Sequence, residues 1–427
     1  MPSILMMIFC SIYGLVDGIF VSNFIYDDGV SFAAINLIMP LLMFFSAVGF
    51  MVGSGGSALV SKIMGQKDSK RAKGIFSMLV YFSIGLGIAF TVVGCLILKP
   101  VSILFGAEGE VLRACLTYGY FLLPSLTFFL LQNVFQSFLV AAERPDLGLK
   151  VMLSAGITNI VLDALFIIAF QWGIVGAAVA TAIAQVVGGI IPLVYFIKKR
   201  TGPLYLVKPI FEKGSLFKAC TNGASEFLTN VSLSIVNMLY NFQLMRYYEG
   251  TEGVKAYGVL NYAGFVFISV LLGFAMGVAP IISYHFGADN EDELKTLYKK
   301  CLRIVLVLSL TLFISTVALA YPISYIFVGN SPLVFEIAIR AFFLYSVVLL
   351  VVGVNIFSSA FFTALNDGLT SGILSTLRLL VFPAAVVFTL PLILGTDGIW
   401  LSSAVAEFIS LGFSILFLTS KKKKFGY

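Results

Sequence analysis

Long runs of apolar residues alternate with short polar breaks from one end of the chain to the other. The runs are continuous, which excludes a strand pattern that alternates every second residue and so a membrane β-barrel. A helix rises about 1.5 Å per residue, so about 20 residues cross a hydrocarbon core of about 30 Å. The pattern predicts twelve membrane-spanning helices, over residues 2–24, 30–58, 74–98, 112–140, 151–170, 174–197, 216–246, 254–282, 300–321, 335–363, 371–394 and 397–418. Breaks fall at polar clusters such as 65–71, 143–146 and 289–293, and the longest polar stretch, 198–215, divides the chain near its middle.

Composition supports this reading. Only 11% of the 427 residues are charged and 59% are hydrophobic, against about 25% charged in a soluble domain. Met1, Pro2 and Ser3 lead straight into an apolar run with no basic leader or cleavage site, so the first segment is expected to be a retained helix. Five scattered cysteines and a single His285 give no disulfide framework and no metal-ligand spacing. No nucleophile–base set is visible, so an enzyme is not expected. The basic residues sit in loops and tail and speak to topology, not to nucleic acid. Loops after even-numbered spans, with the tail, hold 21 of the 27 Lys and Arg residues. This bias predicts a multi-pass protein of the cell membrane with both termini cytoplasmic.

The chain matches itself at a shift of 222. Gly55, Ser61, Gly65 and Lys73 become Gly277, Ser283, Gly287 and Lys295. Pro100, Ser102 and Phe105 become Pro322, Ser324 and Phe327, and Asn133, Phe135 and Ser137 become Asn355, Phe357 and Ser359. The expected architecture is all-α: two pseudo-symmetric six-helix lobes in parallel repeat. The boundaries are 1–197 for the first lobe, 198–215 for a cytoplasmic connecting loop, 216–418 for the second lobe and 419–427 for a basic tail. Two halves of like orientation suit alternating access around a central site.

An ionisable side chain at mid-bilayer costs about 2.5–3.5 kcal/mol on insertion, so those that remain are functional candidates. Asp17 follows Tyr13 by one helical turn, and Asp163 follows Asn159 by the same spacing. Two carboxylates, an amide and a phenol suit either an oxygen-lined cation site or a proton carrier. An interhelical hydrogen-bond clamp is the alternative. In the second half Asn222, Glu226, Asn230 and Ser234 recur every four residues and are expected to line a substrate cavity. Glu407, with Ser403, Ser410 and Ser414, forms a similar stripe on the last span, and its repeat partner is Gln185. Packing polarity is the alternative for both stripes. Arg378 either balances one of these acids or snorkels.

Three stretches carry a resemblance. The run from Tyr13 to Val21, YGLVDGIFV, is similar to the first-helix signature of the multidrug and toxic compound extrusion (MATE) transporters. GSGGSA at 53–58 followed by MGQKD at 64–68 resembles the family's second helix and its loop. Asn159 to Asp163, then WGIVGAA at 172–178, resembles its fifth and sixth helices. The likeness covers essentially the whole chain, in the family's order, and points to the prokaryotic branch.

The resemblance implies a V-shaped pair of lobes that exports cationic, amphipathic compounds in exchange for Na+ or H+. It implies cation-site roles for Asp17, Asn159 and Asp163 in the first lobe and Glu226 in the second. Glu407 matches the branch that keeps an acid on the last helix. Some members carry an acid in the tenth helix. Residues 337–366 hold none, so an ion site built on that acid is not expected. The repeat also sets the first helix to begin near position −6, which suggests a lead-in missing before Met1.

The expected function is a cation-coupled multidrug antiporter, monomeric, with no cofactor beyond its coupling ion. A lipid-linked oligosaccharide flippase of the same superfamily is the nearest alternative, but its cavity needs basic residues for pyrophosphate. A non-transporting membrane scaffold is a third.

Overall fold

The computed structural model describes every residue except 26–29, 249–251 and 330, and the side chains at 14, 15, 17–19, 21–23 and 32 also lie outside it. Contacts divide the chain into two compact units, Met1–Gly223 and Ala224–Tyr427.

The first unit contains α1 (Pro2–Phe24), α2 (Val30–Gly65), α3 (Ser69–Leu104), α4 (Gly109–Leu122), α5 (Leu126–Ala141), α6 (Pro145–Asp163), α7 (Gly173–Lys198) and α8 (Lys213–Asn222). A short 3-10 turn at Leu123–Ser125, containing Pro124, joins α4 to α5. Proline has no N–H to give to a helix ladder, so the span breaks there. The core at the basic-loop end is aromatic. Phe76 packs on Phe138 and Phe196, each with ring centroids 4.9 Å apart. The connecting loop is held on this unit. Val207 N–H donates to Ser77 Oγ at 2.9 Å, Ile210 N–H donates to the Gly74 carbonyl at 3.2 Å, and Arg71 pairs with Glu212 at 2.9 Å.

The second unit contains α9 (Ala224–Tyr247), α10 (Glu252–Gly287), α11 (Glu291–Val328), α12 (Pro332–Ser346), α13 (Leu349–Ala364), α14 (Gly368–Thr376), α15 (Phe382–Thr389), α16 (Pro391–Leu394), α17 (Thr396–Ser420) and α18 (Lys422–Phe425). The repeat is visible in helix bounds. α1 and α9 begin at 2 and 224, α2 and α10 run 30–65 and 252–287, and α3 and α11 begin at 69 and 291.

Among the described residues, nine helices are long and apolar enough to cross a membrane, and α12 with α13, bent by 53°, makes a tenth. α1 and α9, of 23 and 24 residues, complete the twelve. α9 is the more polar because it carries Asn230, Ser232, Ser234 and Asn237. The chain is therefore an all-α polytopic membrane protein of two similar six-helix bundles.

Two expectations change. The span placed at 216–246 is two helices, parted at Gly223. A Cβ on Gly223 would run into the carbonyl of Met51, and one on Gly55 would run into the Ala219 carbonyl, so α8 lies directly on α2. The basic tail is folded: Lys421 pairs with Asp367 at 2.6 Å, and the Tyr427 ring is buried against Tyr298 and Phe361.

Candidate functional site

α6 presents Asn159 and Asp163 one turn apart, and both are 0% exposed. Asn159 Nδ2 donates to Thr181 Oγ1 of α7 at 3.3 Å, while Asn159 Oδ1 is buried with no hydrogen-bond partner among the described residues. Tyr13 of α1 packs on Gly156, where a Cβ would lie 3.7 Å from the Tyr13 Cβ. Three helices thus meet around one polar patch. Directly after Asp163 the helix widens into a π turn over Ala164–Ala169. Such turns are rare and concentrate at functional sites. Asp17 lies on α1, and its side chain is outside the described residues.

The donors here are a carboxylate, an amide oxygen and hydroxyls, all hard oxygen ligands. They suit an alkali cation or a proton and not a soft metal. The described residues hold no group of three or more His, Cys, Asp or Glu arranged for a metal.

In the second unit the polar residues meet elsewhere. Arg378 sits in a π turn at Leu377–Val381, and its Nε lies 3.3 Å from Oε1 of Glu407 on α17. Glu407 is 7% exposed, and its Oε2 accepts from Asn355 Nδ2 of α13 at 2.7 Å. Ser414 Oγ donates to Asn355 Oδ1 at 2.8 Å. Glu226 of α9 interacts electrostatically with the same guanidinium. The structure thus pairs Arg378 with Glu407, with Glu226 within range of its charge, and of the two roles open to Arg378 it shows the balancing one.

The polar stripe expected on a single face is divided. Asn222 is buried at the end of α8 in the first unit, whereas Glu226 and Asn230 are on α9 in the second. The Asn230 amide donates to the Glu226 backbone carbonyl at 2.8 Å, so this bond serves the helix and not the carboxylate.

A hydroxyl chain went unread in the sequence. Ser225 reaches Thr363 at 3.3 Å, Thr363 reaches Ser371 at 2.6 Å, Ser371 reaches Ser359 at 3.0 Å, and Ser359 reaches Ser375 at 2.8 Å. The available signal was the four-residue spacing of Ser359 with Thr363 and of Ser371 with Ser375. The glycines of GSGGSA have a packing role. A Cβ on Gly53 would press on the α5 backbone at Val134, and one on Gly56 would press on Leu79 and Phe138.

A family model described as MatE matches residues 2–165 and 227–389, one stretch in each unit. The multidrug export protein MepA of Staphylococcus saprophyticus is 26% identical over 406 residues, covering 93% of this chain and 87% of that protein. MepA of Staphylococcus aureus is 25% identical over 401 residues, covering 93% and 86%. Among solved structures, the outward-facing conformation of a multidrug resistance MATE family transporter superposes with TM-score 0.93 at 23% identity, covering 99% of this chain and 94% of that one. A MATE structure in the straight conformation gives TM-score 0.92 at 24% identity, covering 99% and 95%. At these identities the structural likeness speaks for the fold alone.

Proposed function

We propose that this chain, which belongs to the MatE family, is a secondary antiporter that exports small cationic, amphipathic compounds in exchange for Na+ or H+. The observation that carries the proposal is the buried acid Asp163 beside Asn159, where α1, α6 and α7 meet. Hydrocarbon tolerates such an acid only with a partner or a purpose. The names of the MepA relatives, which cover 93% of the chain, support multidrug export as the outcome.

In the proposed cycle the coupling ion is taken up at Asp17, Asn159 and Asp163, with Tyr13 at the edge. Uptake repacks α1 against α6 and expels cargo outward. Ion release to the cytoplasm resets the carrier by alternating access. Ion and cargo must weaken each other's binding by the same factor, because coupling between sites is reciprocal. Glu226, Asn230 and Glu407 belong to the cargo side of this reading, and Asn222, on the first unit, falls outside it. Both termini face the cytoplasm, and the protein works as a monomer. The excess of buried acids over Arg378 favours cationic cargo over a pyrophosphate-linked one.

The test is efflux of a fluorescent organic cation from cells with the Na+ and proton gradients collapsed separately. Loss of efflux with one gradient identifies the coupling ion. Efflux indifferent to both removes ion coupling from the function.

A further inference from the structure

In the second unit one guanidinium, Arg378, pairs with Glu407 at 3.3 Å and acts on Glu226 only through its charge. Among the described residues, Glu226 is left without a salt-bridge partner. The Arg378 contact is also incomplete. Its Nε lies 3.3 Å from Glu407 Oε1 yet makes no hydrogen bond, while Asn355 holds the other oxygen at 2.7 Å. A bidentate fork would lock guanidinium to carboxylate. Here the pairing is Coulombic, and the amide does the positioning.

We propose that Arg378 sets the charge specificity of the cargo site: it cancels one carboxyl, leaves place for one positive charge, and so selects monovalent over divalent organic cations. This rests on the reading of Glu226 and Glu407 as cargo residues. A dication has to compete with the tethered guanidinium, whereas a monocation replaces only the proton or small ion at the uncancelled carboxyl. The repeat supports a dedicated role. The position 222 residues before Arg378 is Gly156, so this charge belongs to the second unit alone. Arg378 stands in a π turn and not a regular helix, an irregularity typical of functional positions.

The experiment measures Kd on purified protein for two probes with the same headgroup: tetraphenylphosphonium, and an alkane-linked bis(triphenylphosphonium). Wild type is expected to prefer the monocation. Arg378→Gln shifts the dication-to-monocation ratio at least 10-fold toward the dication, and Arg378→Lys keeps the wild-type ratio. Glu407→Gln alone weakens the monocation at least 10-fold. The double variant Arg378→Gln with Glu407→Gln again leaves one free carboxyl and returns the ratio to wild type, which a packing clamp would not do. A ratio unchanged within twofold in Arg378→Gln overturns the inference. So does a double variant unlike wild type, which keeps the test decisive if Arg378→Gln alone misfolds. Wild type that binds neither probe sinks the cargo reading itself; wild type that binds both, with a ratio indifferent to Arg378, sinks only the inference.

Discussion

Arg378 stands in the second unit where Gly156 stands in the first, 222 residues earlier. Gly156 has no side chain, so Tyr13 of α1 closes on α6, whereas Arg378 extends to Glu407. The converse holds one turn on. Asn159 and Asp163 of the first unit correspond to Val381 and Ala385 in the second. Two bundles of the same fold have placed their polar chemistry at different positions. The antiport proposed above assigns the coupling ion to the first unit and the cargo charge to the second.

Asp163→Asn is expected to lower gradient-driven efflux at least 10-fold while the protein still inserts in the membrane. The amide keeps the volume and removes the charge. Efflux of a fluorescent cation, normalised to membrane-inserted protein, is the measurement. A wild-type rate would take Asp163 out of the mechanism.

Gly55→Val tests the seat of α8. Its side chain would meet the Ala219 carbonyl and the backbone of Gly223, neither of which can swing away. Overpacking of this kind costs about 1–3 kcal/mol, read as a lower Tm in detergent. Gly85→Ala on exposed α3, where a Cβ meets nothing within 4 Å, is the control. It is expected to leave Tm equal or slightly higher, since alanine favours helix over glycine.

The folded tail gives a pH prediction. Burial works to raise the Asp367 carboxyl, but hydrogen bonds from Lys421 and Thr370 outweigh it and hold the group below its ordinary value of 3.8. A carboxyl depressed in the folded state stabilises fully above that ordinary value and loses its contribution as pH falls through the lower, folded one. The tail is therefore expected to stay docked at neutral pH and to loosen only as pH falls below 3.8 toward the lower, folded value. Asp367→Asn should loosen it at neutral pH. Protease cleavage near Lys422–Phe425 reports the change, and cleavage of Asp367→Asn equal to wild type at pH 7 would contradict it.

Topology is open to direct labelling. Lys423→Cys in a cysteine-free background should react with a membrane-impermeant maleimide only after cells are permeabilised. Labelling of intact cells would invert the proposed orientation.

Much of this protein was legible in its sequence because hydrocarbon imposes a one-dimensional rule. Every backbone polar group must be satisfied within its own segment, so spans appear as apolar runs of fixed length. Run length, the 222-residue shift and the spacing of Asn159 with Asp163 needed no third dimension. What tertiary structure decided was which polar groups meet and where helices stop. Gly223 reads as one small residue in an apolar span, and only the Met51 carbonyl across from it explains why α8 and α9 part there. Arg378 and Glu407 are 29 positions apart on different helices. Their pairing, like that of Lys421 with Asp367, depends on how helix faces turn toward one another, which periodicity along a single helix does not encode.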